Sequence, residues 1–172
     1  MPRGYVEVLK RLEQRRAEEQ QKMLGLPLRR QYGGMYPPVK AAAIRTAEQR
    51  LGFALPPLLR AIYRNLANGG FGPGYGLYGL EGGYPGPNED DVLTLAELHA
   101  INVSDPDAFP WPPRLLAIAH GGCLFRYAVD CSNRSYPVLY MEGLDGDRIG
   151  TFDEVMERWA DGQDLLRPPS IV

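Results

Sequence analysis

The stretch Val39–Leu80, VKAAAIRTAEQRLGFALPPLLRAIYRNLANGGFGPGYGLYGL, decides the fold. Ile44, Ala47 and Leu51 fall at i, i+3 and i+7, which gives one buried stripe on a helix from about Val39 to Leu51. Gly52 is placed to take a left-handed cap, with Phe53 packing back on the last turn. Pro56 and Pro57 open the next helix, where proline's missing N–H costs nothing. Leu58 or Leu59, Ile62 and Leu66 form its inner face, and Asn68 with Gly69 stops it. A glycine-rich loop follows. Almost no side chain here can do covalent chemistry, so the stretch reads as a folding and recognition module.

Upstream, Tyr5 to Leu24 predicts a helix that is apolar only early, through Tyr5, Val8, Leu9 and Leu12. Its Arg15–Lys22 part is polar all round, as in a solvated helical arm. The Gly and Pro pairs at 33–34 and 37–38 mark an irregular connector.

Downstream, Leu77–Leu80 is a possible strand, and Glu81–Asp91 is a loop rich in Gly, Pro and acid. Thr94-Leu95-Ala96-Glu97 and Thr151-Phe152-Asp153-Glu154 match capping boxes, each opening a helix. Asn102–Pro113 holds four prolines and is irregular. Leu115–Ala119, Cys123–Val129 and Val138–Glu142 read as strands, with a tight turn at Gly121-Gly122 and another over Gly143–Asp147. Phe152, Val155, Met156 and Trp159 line the closing helix, which Gly162 ends. Helices first, strands second and a final helix give an α+β domain.

The order of these motifs resembles the SUKH superfamily, which groups bacterial toxin-immunity proteins with fungal cell-wall-assembly regulators. The residues that carry the resemblance are Glu48, Leu51 and Gly52, then Leu55-Pro56, then Asn68-Gly69-Gly70. Gly121-Gly122, the strand ending at Asp130, Pro137-Val138 and the Phe152-led helix continue it. The resemblance implies a mainly antiparallel sheet covered on one side by helices, and a non-enzymatic, protein-binding role. It divides the chain into an N-terminal helical extension and connector (1–37), an α+β domain (38–162) and a tail (163–172).

Length and composition agree with one domain. The 172 residues are ample for a single core and short for two, and 44% apolar with 23% charged residues is ordinary for a globular protein. No run approaches the ~18 apolar residues of a membrane span, and the first residues open no secretory segment, so a cytoplasmic protein is the expectation. The net charge of −2 hides an asymmetry: residues 1–66 carry +8 and residues 67–172 carry −10. A basic helical layer packed near an acidic sheet layer explains this, and so does an acidic face that steers a basic partner. The acids interspersed in the N-terminal helix argue against direct nucleic-acid binding.

Three motifs invite a chemical reading. Gly74–Gly79 satisfies G-x-G-x-x-G, but it follows a helix and leads into a strand, the reverse of a dinucleotide site. His99, His120, Cys123 and Cys131 are the complete set of His and Cys. At ~3.3 Å per residue, Cys131 lies roughly 26 Å beyond Cys123 along an extended strand, too far for one zinc or a disulfide. Both cysteines then read as small core thiols. A Cys123–His120 nucleophile pair has no oriented base or oxyanion hole beside it. No catalytic residue, metal site or cofactor is therefore expected.

The leading reading is an immunity protein that covers a toxin domain's active site, a basic nuclease being one fit to the acidic half. A scaffold or regulator of the cell-wall-assembly type, binding endogenous partners, is the alternative. Acids on loops are the expected contacts: Glu89, Asp90 and Asp91 form the densest run, and Asp145 and Asp147 sit at the sheet end. Sequence leaves the partner's identity and the oligomeric state open.

Overall fold

The computed structural model describes residues 4–23, 36–87 and 93–166. Helix α1 spans Tyr5–Met23, α2 Ala41–Leu51 and α3 Pro57–Asn65. The α2–α3 hinge is fastened by one residue. Gly52 caps α2 at φ 77°, donating its N–H to the Glu48 carbonyl. The Glu48 side chain reaches across the hinge to accept the Leu55 N–H at 2.9 Å and pairs with Arg60 at 3.4 Å. Glu-x-x-Leu-Gly thus works as a helix stop with its own brace. Phe53, beyond the cap, packs against the core that includes Leu51 and sets its ring edge-on to His99.

Past α3 the chain is held by Asn68, which is 2% exposed. Its Oδ1 accepts the Leu80 N–H at 2.8 Å, and its Nδ2 donates to the carbonyls of Glu81 at 3.2 Å and Leu80 at 3.4 Å. Its backbone N–H donates to the Tyr36 carbonyl, and its own carbonyl accepts from Tyr84 N–H, both at 3.0 Å. Gly69 and Gly70 follow at φ 83° and 86°, a region that L side chains resist. A Cβ on Gly69 would lie 2.5 Å from the Leu77 carbonyl oxygen and 2.8 Å from the Gly79 nitrogen.

Helix α4 (Leu95–Asn102) leads to strands β1 (Leu115–Gly122), β2 (Phe125–Asp130), β3 (Pro137–Glu142) and β4 (Asp145–Thr151), and α5 (Phe152–Ala160) closes the chain. The strands form one antiparallel sheet in the order β1-β2-β3-β4. Both capping boxes are formed, Thr94 with Glu97 and Thr151 with Glu154.

Three details of the strands differ from the sequence reading. The Leu77–Leu80 strand is reduced to a single bridge, Leu77 to Ala119, because Gly74 and Gly76 take positive φ and break any ladder. Tyr75 and Tyr78 still donate to the His120 and Ile118 carbonyls, so the loop covers part of the β1 edge. The first hairpin turns at Cys123-Leu124, not at Gly121-Gly122: two register shifts carry β1 on to pair Gly122 with Phe125. The supposed turn over Gly143–Asp147 is shorter, Gly143-Leu144 alone, and β4 starts at Asp145 opposite Glu142.

The result is a single α+β domain with an N-terminal helix. Leu116, Ile118, Tyr127, Val129 and Val138 join Phe152, Val155 and Met156 of α5 in the main core. Val8, Leu9 and Leu12 of α1 belong to the same core. The polar half of α1 is partly docked as well: Arg11 pairs with Asp161 at 2.8 Å and Glu157 at 3.4 Å, and Arg15 stacks over the Trp159 ring at 5.9 Å. On the opposite sheet face, Ala117, Ala128 and Met141 lie beneath Trp111, with Phe109 and Val103 packed beside it. The proline-rich segment is therefore a lid on a second, smaller core.

Gly69→Val is expected to cost about 3 kcal/mol or more, through a forbidden φ and a backbone clash together. Urea denaturation should place it well below Cys123→Ala and Cys131→Ala; equal midpoints would contradict the reading of the loop.

Candidate functional site

The glycine loop is no phosphate cradle. Tyr75, Gly76, Leu77, Tyr78 and Gly79 each donate their N–H to a protein carbonyl, so these amides have none to offer an anion. Its glycines permit close approach instead, since a Cβ on Gly74 would collide with the His120 carbonyl oxygen.

The thiols part company. Cys131 is buried, and that burial, seconded by Asp130, pushes its thiol up to about 12. Cys123 is exposed at the hairpin turn with φ 47°, so the core-thiol reading fails for it. The reason is the two-residue shift of the turn. His120 sits on β1, half-buried, and its Nδ1 accepts the Gly122 N–H at 3.0 Å. Burial, then Arg126, holds its pKa below the ordinary value. Among the described residues, no group of three or more His, Cys, Asp or Glu could hold a metal.

His99 lies inside, 6% exposed, with the Phe53 ring at 5.3 Å. Burial lowers its pKa, and a hydrogen bond with the Pro113 backbone opposes the shift. Its Nδ1 has no partner among the described residues. It projects from α4 toward the Pro113 backbone of the lid segment.

Of the acids expected to meet a partner, Glu89, Asp90 and Asp91 lie outside the described residues. Asp145 and Asp147 are exposed on β4, and register places them in company. Directly paired residues share a sheet face, so one row runs Tyr127–Tyr140–Asp147 and the next Phe125–Glu142–Asp145. The Phe125 and Tyr140 rings stack at 5.0 Å and 7°, and Tyr127 meets Tyr140 at 4.9 Å. Three rings and three carboxylates thus share the helix side of the sheet, at the end the helices leave uncovered. Sequence reasoning missed Phe125, Tyr140 and Glu142. The alternation along β2 and β3 hints at them, but only register brings them beside the aspartates.

A second acidic feature is an open groove of about 730 Å³ between β4, α5 and the segment 163–166, which Asp147 also lines. Its α5 acids are already engaged: Glu154 accepts the Thr151 N–H, while Glu157 and Asp161 pair with Arg11. The hairpin acids Glu142, Asp145 and Asp147 make no side-chain hydrogen bond or ion pair among the described residues.

Fold and surface together define a recognition module: a glycine-braced α+β scaffold displaying one aromatic and acidic face. The chain belongs to the SMI1/KNR4 family (SUKH-1), whose model matches residues 38–167. This is a generally non-enzymatic family of protein-binding modules, of immunity or regulatory type. No curated protein matches the chain. No helix among the described residues is long and apolar enough to cross a membrane.

The buried histidine generates a pH prediction. A His99 pKa held below 6.5 in the folded state contributes stability above the unfolded value, lost as pH falls through the folded one. His99→Phe should therefore lose less stability than wild type between about pH 7 and about pH 5. Urea midpoints across that window check this, and equal losses in the two proteins would contradict it.

Proposed function

We propose that this protein is a cytoplasmic immunity protein that binds a basic toxin domain and covers its active site. Family membership supports protein binding, and the unpaired hairpin acids support a cationic target. The observation that carries the reading is Asp145 and Asp147 standing exposed and unneutralised on an edge strand, while other acids nearby are engaged. A nuclease is a natural target, because a surface that binds phosphate must be positive and an acidic face steers toward it. The scaffold contributes rigidity and no catalytic group.

The test starts from the gene. A large toxin gene with a variable C-terminal domain directly upstream supplies the partner; solitary placement among housekeeping genes favours the regulatory alternative. Co-expression should restore growth of cells that make the toxin domain. Asp145→Lys with Asp147→Lys should slow association on the order of tenfold at low salt and flatten its salt dependence. Thermal melting should be unchanged. An unaltered on-rate would remove this face from the interface.

A further inference from the structure

We propose that the paired rows on the β2–β3–β4 face form an arginine-anchoring site, which receives a guanidinium group from the partner protein. This deepens the protein-binding reading and rests on it. The Tyr140 ring stacks on Phe125, and a Cβ added to Gly121 would come within 2.9 Å of it. The ring therefore leans from β3 across β2 toward β1, away from β4. The glycine at 121 makes that tilt possible. Beside the ring, on the β4 side, Asp147 stands directly paired with Tyr140 and is exposed.

Strands lie about 4.8 Å apart, so the backbones of Asp147 and Glu142 each lie one strand spacing from an aromatic residue of the shelf, and that of Asp145 one spacing from Glu142. A planar cation can then lie on the ring while its edge N–H groups fork onto a carboxylate. Arginine matches that shape and a lysine ammonium does not, being a point charge more strongly hydrated.

Charge complementarity selects the occupant. Neither row contains a Lys or Arg. Arg126 turns to the opposite face, where it stacks over Trp111, and Arg148 is paired with Leu139, which packs against that same Trp111 cluster. The shelf thus has rings and negative charge that no ion pair neutralises among the described residues, Arg148 lining the groove beside Asp147 without pairing to it. Nucleic acid is excluded by sign. Exposed Leu124 and Leu144, on the two adjacent hairpin turns, flank the site with apolar surface of the kind that excludes water around an anchor.

The experiment is an amide-resolved NMR titration of the full chain with Nα-acetyl-arginine amide, and in parallel with the lysine and citrulline analogues. Saturable shifts should centre on Phe125, Tyr127, Tyr140, Glu142 and Asp147, with arginine bound more tightly than lysine and citrulline not at all. Tyr140→Leu and Asp147→Asn should each weaken arginine binding by roughly fivefold or more, with melting temperatures close to wild type. Shifts scattered over all surface acids, or equal affinity for arginine and lysine, would overturn the site. So would concentration-dependent self-association that Tyr140→Leu abolishes, because the occupant would then be a second copy. The titration needs no toxin, so the two readings fail separately. If the wild-type chain ignores the toxin domain, the immunity reading falls while the titration still judges the site. If Phe125→Leu with Tyr140→Leu leaves toxin affinity unchanged, the anchor falls and the immunity reading stands.

Discussion

The Asn68 side-chain amide is the point on which the rest of this structure depends. It is buried, and both of its ends are hydrogen-bonded to backbone of the loop that follows, at Leu80 and Glu81. The Leu80 N–H would otherwise be a buried donor without a partner, at about 1–3 kcal/mol. No apolar residue can do this, and aspartate would supply acceptors where the Glu81 carbonyl needs a donor. The adjacent glycines let the backbone come close enough for the amide to reach. Tyr63 adds a second tie from α3, its hydroxyl donating to the Tyr78 carbonyl at 2.6 Å.

What this node positions is an edge. The loop it holds lies along β1, so that edge of the sheet is closed by irregular chain rather than by another strand. Helices α1, α3 and α5 cover the core half of one face, and the Trp111 segment covers the other. The hairpin end of the helix-side face, together with the β4 edge, is what remains for a partner. The basic character of α1 is partly answered inside the molecule, by Glu157 and Asp161. The asymmetry of charge along the chain therefore has two sources, an internal contact and an exposed acidic face.

Local chemistry was legible and long-range pairing was not. The α2 stop at Gly52, the Pro56-Pro57 start and both capping boxes depend on residues within four positions of one another, and all are as read. Strand β4 was missed because Asp145-Gly146-Asp147-Arg148 has almost no β propensity and is extended only because β3 pairs with it. The turn slipped from Gly121-Gly122 to Cys123-Leu124 through register shifts in β1, which no local signal marks. The candidate face suffered most from this. Asp145 and Asp147 could be named as exposed acids, but their alignment with Tyr140, Phe125 and Glu142 is a property of register alone.

Native-state hydrogen exchange tests the central role of Asn68 most directly, comparing wild type with Asn68→Ala. The account predicts that the amides of Leu80 and Tyr84 lose protection in the variant together with Tyr75 and Tyr78, whose carbonyl partners lie on β1. Those of β2 and β3 should remain slow. Retained protection at Tyr75 and Tyr78 after the amide is removed would contradict it, since the loop would then be held on β1 without Asn68.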